Sequence, residues 1–136
     1  LGRSIAAELA GNRDYENLQT IPGVGPATAA QIVIDVDVSD FASEAQLASY
    51  CGVVPADRQS GSSVRHSAAS RGGNKRLKNL LIFSCSSLQG SKSRLGDYFR
   101  ACRSRGMPYK AALKATARKR MRVIYAVLRD GRPYAA

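Results

Sequence analysis

Residues 21–26, Ile-Pro-Gly-Val-Gly-Pro, restrict what this 136-residue chain can fold into more than any other stretch. Gly23 and Gly25 permit a tight turn that residues carrying a Cβ resist. Pro26 follows where a helix begins, because a first-turn residue has no intrahelical use for the N–H that proline lacks. The small residues Ala27, Thr28, Ala29 and Ala30 then lead into Ile32, so a helix is expected from Pro26 to about Asp35. A short helix over Glu16–Thr20 is expected before the turn.

Two helices joined by such a turn make a helix-hairpin-helix pattern. The backbone N–H groups of Gly23, Val24 and Gly25 would stand at the positive end of the second helix, a ready phosphate site. Contacts of that kind position a nucleic-acid backbone and read no bases. The same residues also suit a plain turn or hinge packed against protein, and their acidic surroundings leave both readings open.

The remaining pattern is helical. Leu1–Ala10 resembles the tail of a helix, broken by Asn12, Arg13 and Asp14. Ser43-Glu44-Ala45-Gln46 has capping-box spacing, so a helix starts there and stops at Gly52. Leu77, Leu80, Leu81, Cys85 and Leu88 recur at helical spacing, widened by Ile82 and Phe83, and Gly90 ends that run. Arg94–Arg105 forms another helix, closed by Gly106. The last helix starts at Pro108, with Tyr109, Leu113, Ala117, Met121, Ile124, Tyr125 and Leu128 as its apolar stripe. The three acids Asp35, Asp37 and Asp40 are read as caps and turn formers. Between the helices, residues 52–73 have no helical period and are rich in serine and glycine. A loop of that length in a small domain is functional or disordered. The fold class is therefore mainly α: a helix-hairpin-helix motif followed by a small helical domain with a long irregular serine-rich loop. The division is a helical segment over 1–51 and a basic C-terminal domain over 52–136.

Charge locates the partner. Residues 1–50 carry two arginines against seven acids, a net −5, whereas residues 51–136 carry nineteen Lys and Arg against three acids, a net +16. A surplus of that density favours a polyanion, above all nucleic acid. Lys110, Lys114, Arg118 and Arg122 recur every fourth residue along the last helix, with Lys119, Arg120 and Arg129 beside them. Phosphate contact is the preferred reading of that row, and simple solvation the alternative. Cys51, Cys85 and Cys102 are too few and too scattered for a metal site, and lone His66 adds none. They read as buried free thiols, and no metal is expected in this stretch. Neither end has an apolar run fit to span a bilayer, so no membrane partner is expected and a cytoplasmic location is. The chain starts at Leu1 and reads as a piece of something longer.

The serine-rich loop holds the chemistry-bearing residues. Ser60 stands beside Gly61, ringed in sequence by Arg58, Arg65, Arg71, Lys75 and Arg76. A serine hydroxyl needs help from a base and from cations to attack, and phosphoryl transfer is largely positioning and charge stabilisation. Composition alone favours a flexible phosphate-binding loop over a catalytic one.

The order of motifs resembles the C-terminal half of the IS-one-ten insertion-sequence transposases, the Piv/MooV or DEDD type. The resemblance rests on Ile21-Pro-Gly-Val-Gly-Pro-Ala-Thr-Ala29, Phe41 through Leu47 to Tyr50-Cys-Gly-Val-Val-Pro55, Ser60-Gly61, Arg71-Gly-Gly-Asn-Lys-Arg-Leu77 and Leu80-Leu81. It implies a DNA transposase or recombinase whose C-terminal domain binds DNA and supplies a serine nucleophile. That serine maps to Ser60, with Ser62 and Ser63 as alternatives, and would form a transient 5′-phosphoserine link. Arg58, Arg65 and Arg71 would neutralise the phosphate. The resemblance also implies an acidic RuvC-like N-terminal domain with magnesium outside this stretch, a non-coding guide RNA, and homo-oligomers of the full-length protein. This stretch alone would hold no cofactor and would not recombine DNA. The alternative is a non-catalytic helix-hairpin-helix DNA-binding module of a repair or uptake protein.

Overall fold

A computed structural model describes residues 8–53 and 75–135. Among them no strand occurs, and the elements with defined bounds are six α-helices and two short 3-10 helices. Helix α1 spans Arg13–Leu18. It begins earlier than the expected Glu16 because Asn12, read as a breaker, caps it: the Asn12 side chain accepts from the Tyr15 N–H. Successive turn bonds, from Thr20 N–H to Asn17 O, Ile21 N–H to Leu18 O and Val24 N–H to Ile21 O, carry the chain into α2, Pro26–Asp35. That helix has the expected bounds.

A 3-10 turn, Val38–Asp40, follows, and the Asp37 carboxylate caps it by accepting from the Ser39 N–H and hydroxyl. These bonds hold the Asp37 carboxyl below its ordinary value. Helix α3 covers Glu44–Tyr50 with Ser43 as N-cap, accepting from Gln46 N–H. The reciprocal bond of the box is shifted by one residue, since Gln46 Oε1 accepts from Ala42 N–H. Helix α4, Lys75–Ser84, tightens into a second 3-10 helix, Cys85–Gly90. Helix α5 is Arg94–Ser104 and α6 is Tyr109–Asp130, closed by Gly131 in the left-handed conformation.

Helix α6 is the axis of the fold, packed against α1, α3, α4 and α5. Leu18, Ile21 and Leu47 share one core cluster with Leu77, Leu81, Leu88, Phe99, Leu113, Met121 and Ile124. Residues on both sides of the sequence division at 51/52 thus bury the same surface. Two expectations about stripes are corrected. Phe83 does not widen the α4 stripe but is 62 % exposed; two residues past Leu81 is about 200° round a helix. Tyr109, placed on the α6 stripe, is 38 % exposed and stands edge-on to the buried Phe99, while Arg120, placed on the basic surface, is fully buried. All three cysteines are buried free thiols.

Candidate nucleic-acid interface

The glycine turn and the last helix meet at Arg120. Its side chain enters the core between α1–α2 and α4, where Nη1 donates to Pro22 O at 3.3 Å. Nη2 donates to Leu81 O at 3.0 Å and to the Ser84 hydroxyl at 2.5 Å. Nε has no partner among the described residues. Burial pushes the guanidinium below the usual arginine value, opposed by the neighbouring Cys85 thiol, which burial in turn pushes up. With no carboxylate on it, the cation is stabilised by carbonyl and hydroxyl dipoles. Gly23, at φ 81°, lies against it: a Cβ there would fall 2.7 Å from Arg120 Nη1 and 3.3 Å from Leu88. Gly23 is therefore required twice, by its conformation and by the space.

The two glycines of the turn differ. Gly25 is extended, at φ −96° and ψ −175°, and acts as the N-cap of α2 with open space where a Cβ would stand. The Val24 N–H is closed into the turn on Ile21 O at 3.0 Å, so it is spent rather than presented, unlike the sequence expectation. Gly23 and Gly25 N–H have no partner among the described residues, and in the first turn of α2 Ala27 is exposed, whereas Thr28 is buried.

The α6 row divides as well. Lys110 and Lys114 are exposed and have no ion-pair partner among the described residues. Arg118 is pinned by an ion pair with Glu44 of α3, both side chains largely covered, at 15 % and 20 % exposure. Arg122 Nε stands 3.8 Å from the same carboxylate but its side chain is 72 % exposed. Lys119 lies over the Tyr98 ring at 4.8 Å. Lys75 and Arg76 are exposed at the start of α4. Gly52 and Lys78 are neighbours, a Cβ on Gly52 falling 3.0 Å from Lys78 Cδ. Ser60, Ser62, Ser63, Arg58, Arg65 and Arg71 lie outside the described residues. Arg120 escaped the sequence reading because charge outweighed position. It sits three residues after Ala117 and four before Ile124, which is the core spacing.

Among the described residues no cluster of His, Cys, Asp and Glu could hold a metal ion. None of their helices is long and apolar enough to cross a membrane.

Residues 15–100 match the family described as transposase IS116/IS110/IS902. The chain belongs to that transposase family, and the glycine turn, α3 and α4 all fall within the matched part. It is 38 % identical over 118 residues to the 43.6 kDa protein of insertion element IS110 from Streptomyces coelicolor, covering 86 % of this chain and 29 % of that protein. It is 32 % identical over 120 residues to the pilin gene-inverting protein of Moraxella bovis, covering 86 % of this chain and 37 % of that one. A transposase for insertion element IS1111A from Coxiella burnetii is 35 % identical over 79 residues, 57 % of this chain and 22 % of that protein. The chain spans about a third or less of the length of these relatives. No solved structure matches it.

Proposed function

We propose that this chain is the C-terminal, nucleic-acid-binding part of a DNA transposase or recombinase. The observation that carries the reading is the row on α6: Lys110, Lys114 and Arg122 stand exposed on one face of a rigid helix, with Arg118 anchored between them by Glu44. Lysines and arginines so spaced follow a phosphate backbone, and such contacts bind without reading sequence. The turn before α2 adds a helix-hairpin-helix grip, in which the N–H groups of Gly25 and Ala27 donate to a phosphate oxygen. Lys75, Arg76, Arg58, Arg65 and Arg71 add charge around the serine-rich segment.

In the full-length protein Ser60 is the nucleophile. Its Oγ attacks a DNA phosphorus, a phosphoserine ester forms on the 5′ side, and the 3′ oxygen leaves with a proton. The arginines offset the charge of that transition state. Magnesium belongs to an acidic N-terminal domain, a guide RNA is a second polyanionic partner, and the active species is a homo-oligomer. The pilin gene-inverting relatives favour this reading over a repair or uptake module, since DNA inversion is a strand exchange. Two experiments test it. DNA binding by this chain should fall steeply with salt; binding indifferent to salt refutes the polyanion interface. Full-length Ser60→Ala should lose strand exchange while still binding DNA; normal exchange refutes the nucleophile.

A further inference from the structure

Beyond Arg122 the row on α6 is no longer basic. Four and eight residues on, Ala126 and Asp130 carry its line into a cleft of about 380 Å³ between α6 and the chain that folds back after Gly131. That volume falls within the roughly 300–1,000 Å³ of small-ligand sites. Val123 and Ala126 form an apolar floor, Tyr134 one wall, and Arg122 and Arg132 the rim. The tail is fastened in place: Gly131 N–H donates to Val127 O at 2.9 Å, and Tyr134 N–H to the Thr20 hydroxyl at 2.8 Å. Tyr134 itself packs in part against the core. The acid of the cleft is already engaged, because both Asp130 oxygens accept from Arg129, at 2.9 and 3.3 Å.

We propose that this cleft holds one unpaired base of a single-stranded nucleic acid. The base stacks against Tyr134 over the apolar floor, and the flanking phosphates meet Arg122 and Arg132. An apolar slot with an aromatic wall and a cationic rim is the chemistry that single strands select, since every base offers a π-face. The phosphates upstream then lie on Lys114 and Lys110. The inference rests on the nucleic-acid reading above.

The test titrates the chain with short single strands of DNA and RNA carrying one fluorescent purine analogue, and with the matching duplex. Tyr134→Ala should weaken single-strand binding about tenfold, the scale of one base–aromatic stack, and leave duplex binding unchanged. Tyr134→Phe should bind like the parent. Ala126→Trp fills the cleft with the tail intact and should weaken single strands equally. The proposal is overturned if Ala126→Trp binds strands like the parent, or if duplex binding falls as far as single-strand binding. A Lys110→Gln/Lys114→Gln variant separates the two levels. If it loses all nucleic-acid binding while the cleft variants lose none, the cleft fails and the interface stands. If the parent binds no nucleic acid at low salt, both fail.

Discussion

Gly23→Ala and Gly25→Ala should behave oppositely, although the two glycines are two residues apart in one motif. At Gly23 the added methyl meets two penalties. A residue with a Cβ held near φ 81° costs on the order of 1–2 kcal/mol. Its Cβ would also stand 2.7 Å from Arg120 Nη1, which is no free side-chain end but a buried group bonded to Pro22 O, while the other amino group holds Leu81 and Ser84. Displacing it forfeits at least one charge-assisted hydrogen bond, about 1.5–3 kcal/mol. The expected loss is about 3 kcal/mol or more, a large share of the roughly 5–15 kcal/mol that holds a domain together. Gly25→Ala meets open space at an ordinary backbone conformation and should lie within about 0.5 kcal/mol of the parent. Urea unfolding followed by circular dichroism measures both. A double variant isolates the contact: with Arg120→Met the guanidinium is gone, so Gly23→Ala should then cost only its backbone part, and the two penalties should fall short of additive by about 1.5–3 kcal/mol. Equal costs at the two glycines, or strict additivity in the double variant, would refute the account of Arg120 as the group that Gly23 makes room for.

Three other outcomes are expected. Gly25→Asp places a capping carboxylate at the N-terminus of α2, so it should stabilise by a few tenths to about 1 kcal/mol yet weaken DNA binding in a gel-shift titration; unchanged binding would remove the turn from the interface. Glu44→Gln breaks the covered pair with Arg118 and should cost about 1–3 kcal/mol. It should also steepen the salt dependence of DNA binding by about one phosphate contact as Arg118 is freed. Burial, reinforced by Asp35, pushes the Cys51 thiol from 9.0 up to about 12. The folded state therefore keeps the proton that the unfolded chain releases. Stability from this group is full below pH 9 and is lost as pH rises from 9 to 12, where urea midpoints should fall and those of Cys51→Ala should fall less, the remainder coming from the other buried thiol, Cys85.

How much of this was legible depends on whether a residue's role followed from its own neighbours. Pro26 opening α2, Ser43 capping α3 and Gly131 closing α6 are local devices, and the sequence carries them in full. Asn12 is also local, but its short polar side chain suits a break or a cap equally, and the bond to Tyr15 N–H decides it. Phe83 was misplaced because hydrophobicity was read before angle, whereas Tyr109 keeps the angle of the stripe and is part-exposed as the first residue of its helix. The pairing of Arg118 with Glu44, 74 residues apart, has no local signal at all.

Arg120 joins these two kinds of information and changes what the glycine turn is for. The first part of the chain is acidic and the rest basic, so charge draws the two together without fixing where the turn lies. Instead the turn supplies the carbonyl of Pro22 to a cation rooted in α6, and Gly23 gives up its side chain to let that cation lie close. The open donors at the start of α2 and the exposed lysines of α6 are thereby fixed on one body through a bond that crosses the core. A phosphate on one then sets where a phosphate can meet the other. Glu44 works in the same direction, because an acid from the first part neutralises Arg118 and leaves Lys114 and Arg122 as separate, outward charges. The acidic segment thus shapes the basic row, and removing either internal partner, Arg120 or Glu44, should change the geometry or the charge of the proposed nucleic-acid interface without touching a residue assigned to it.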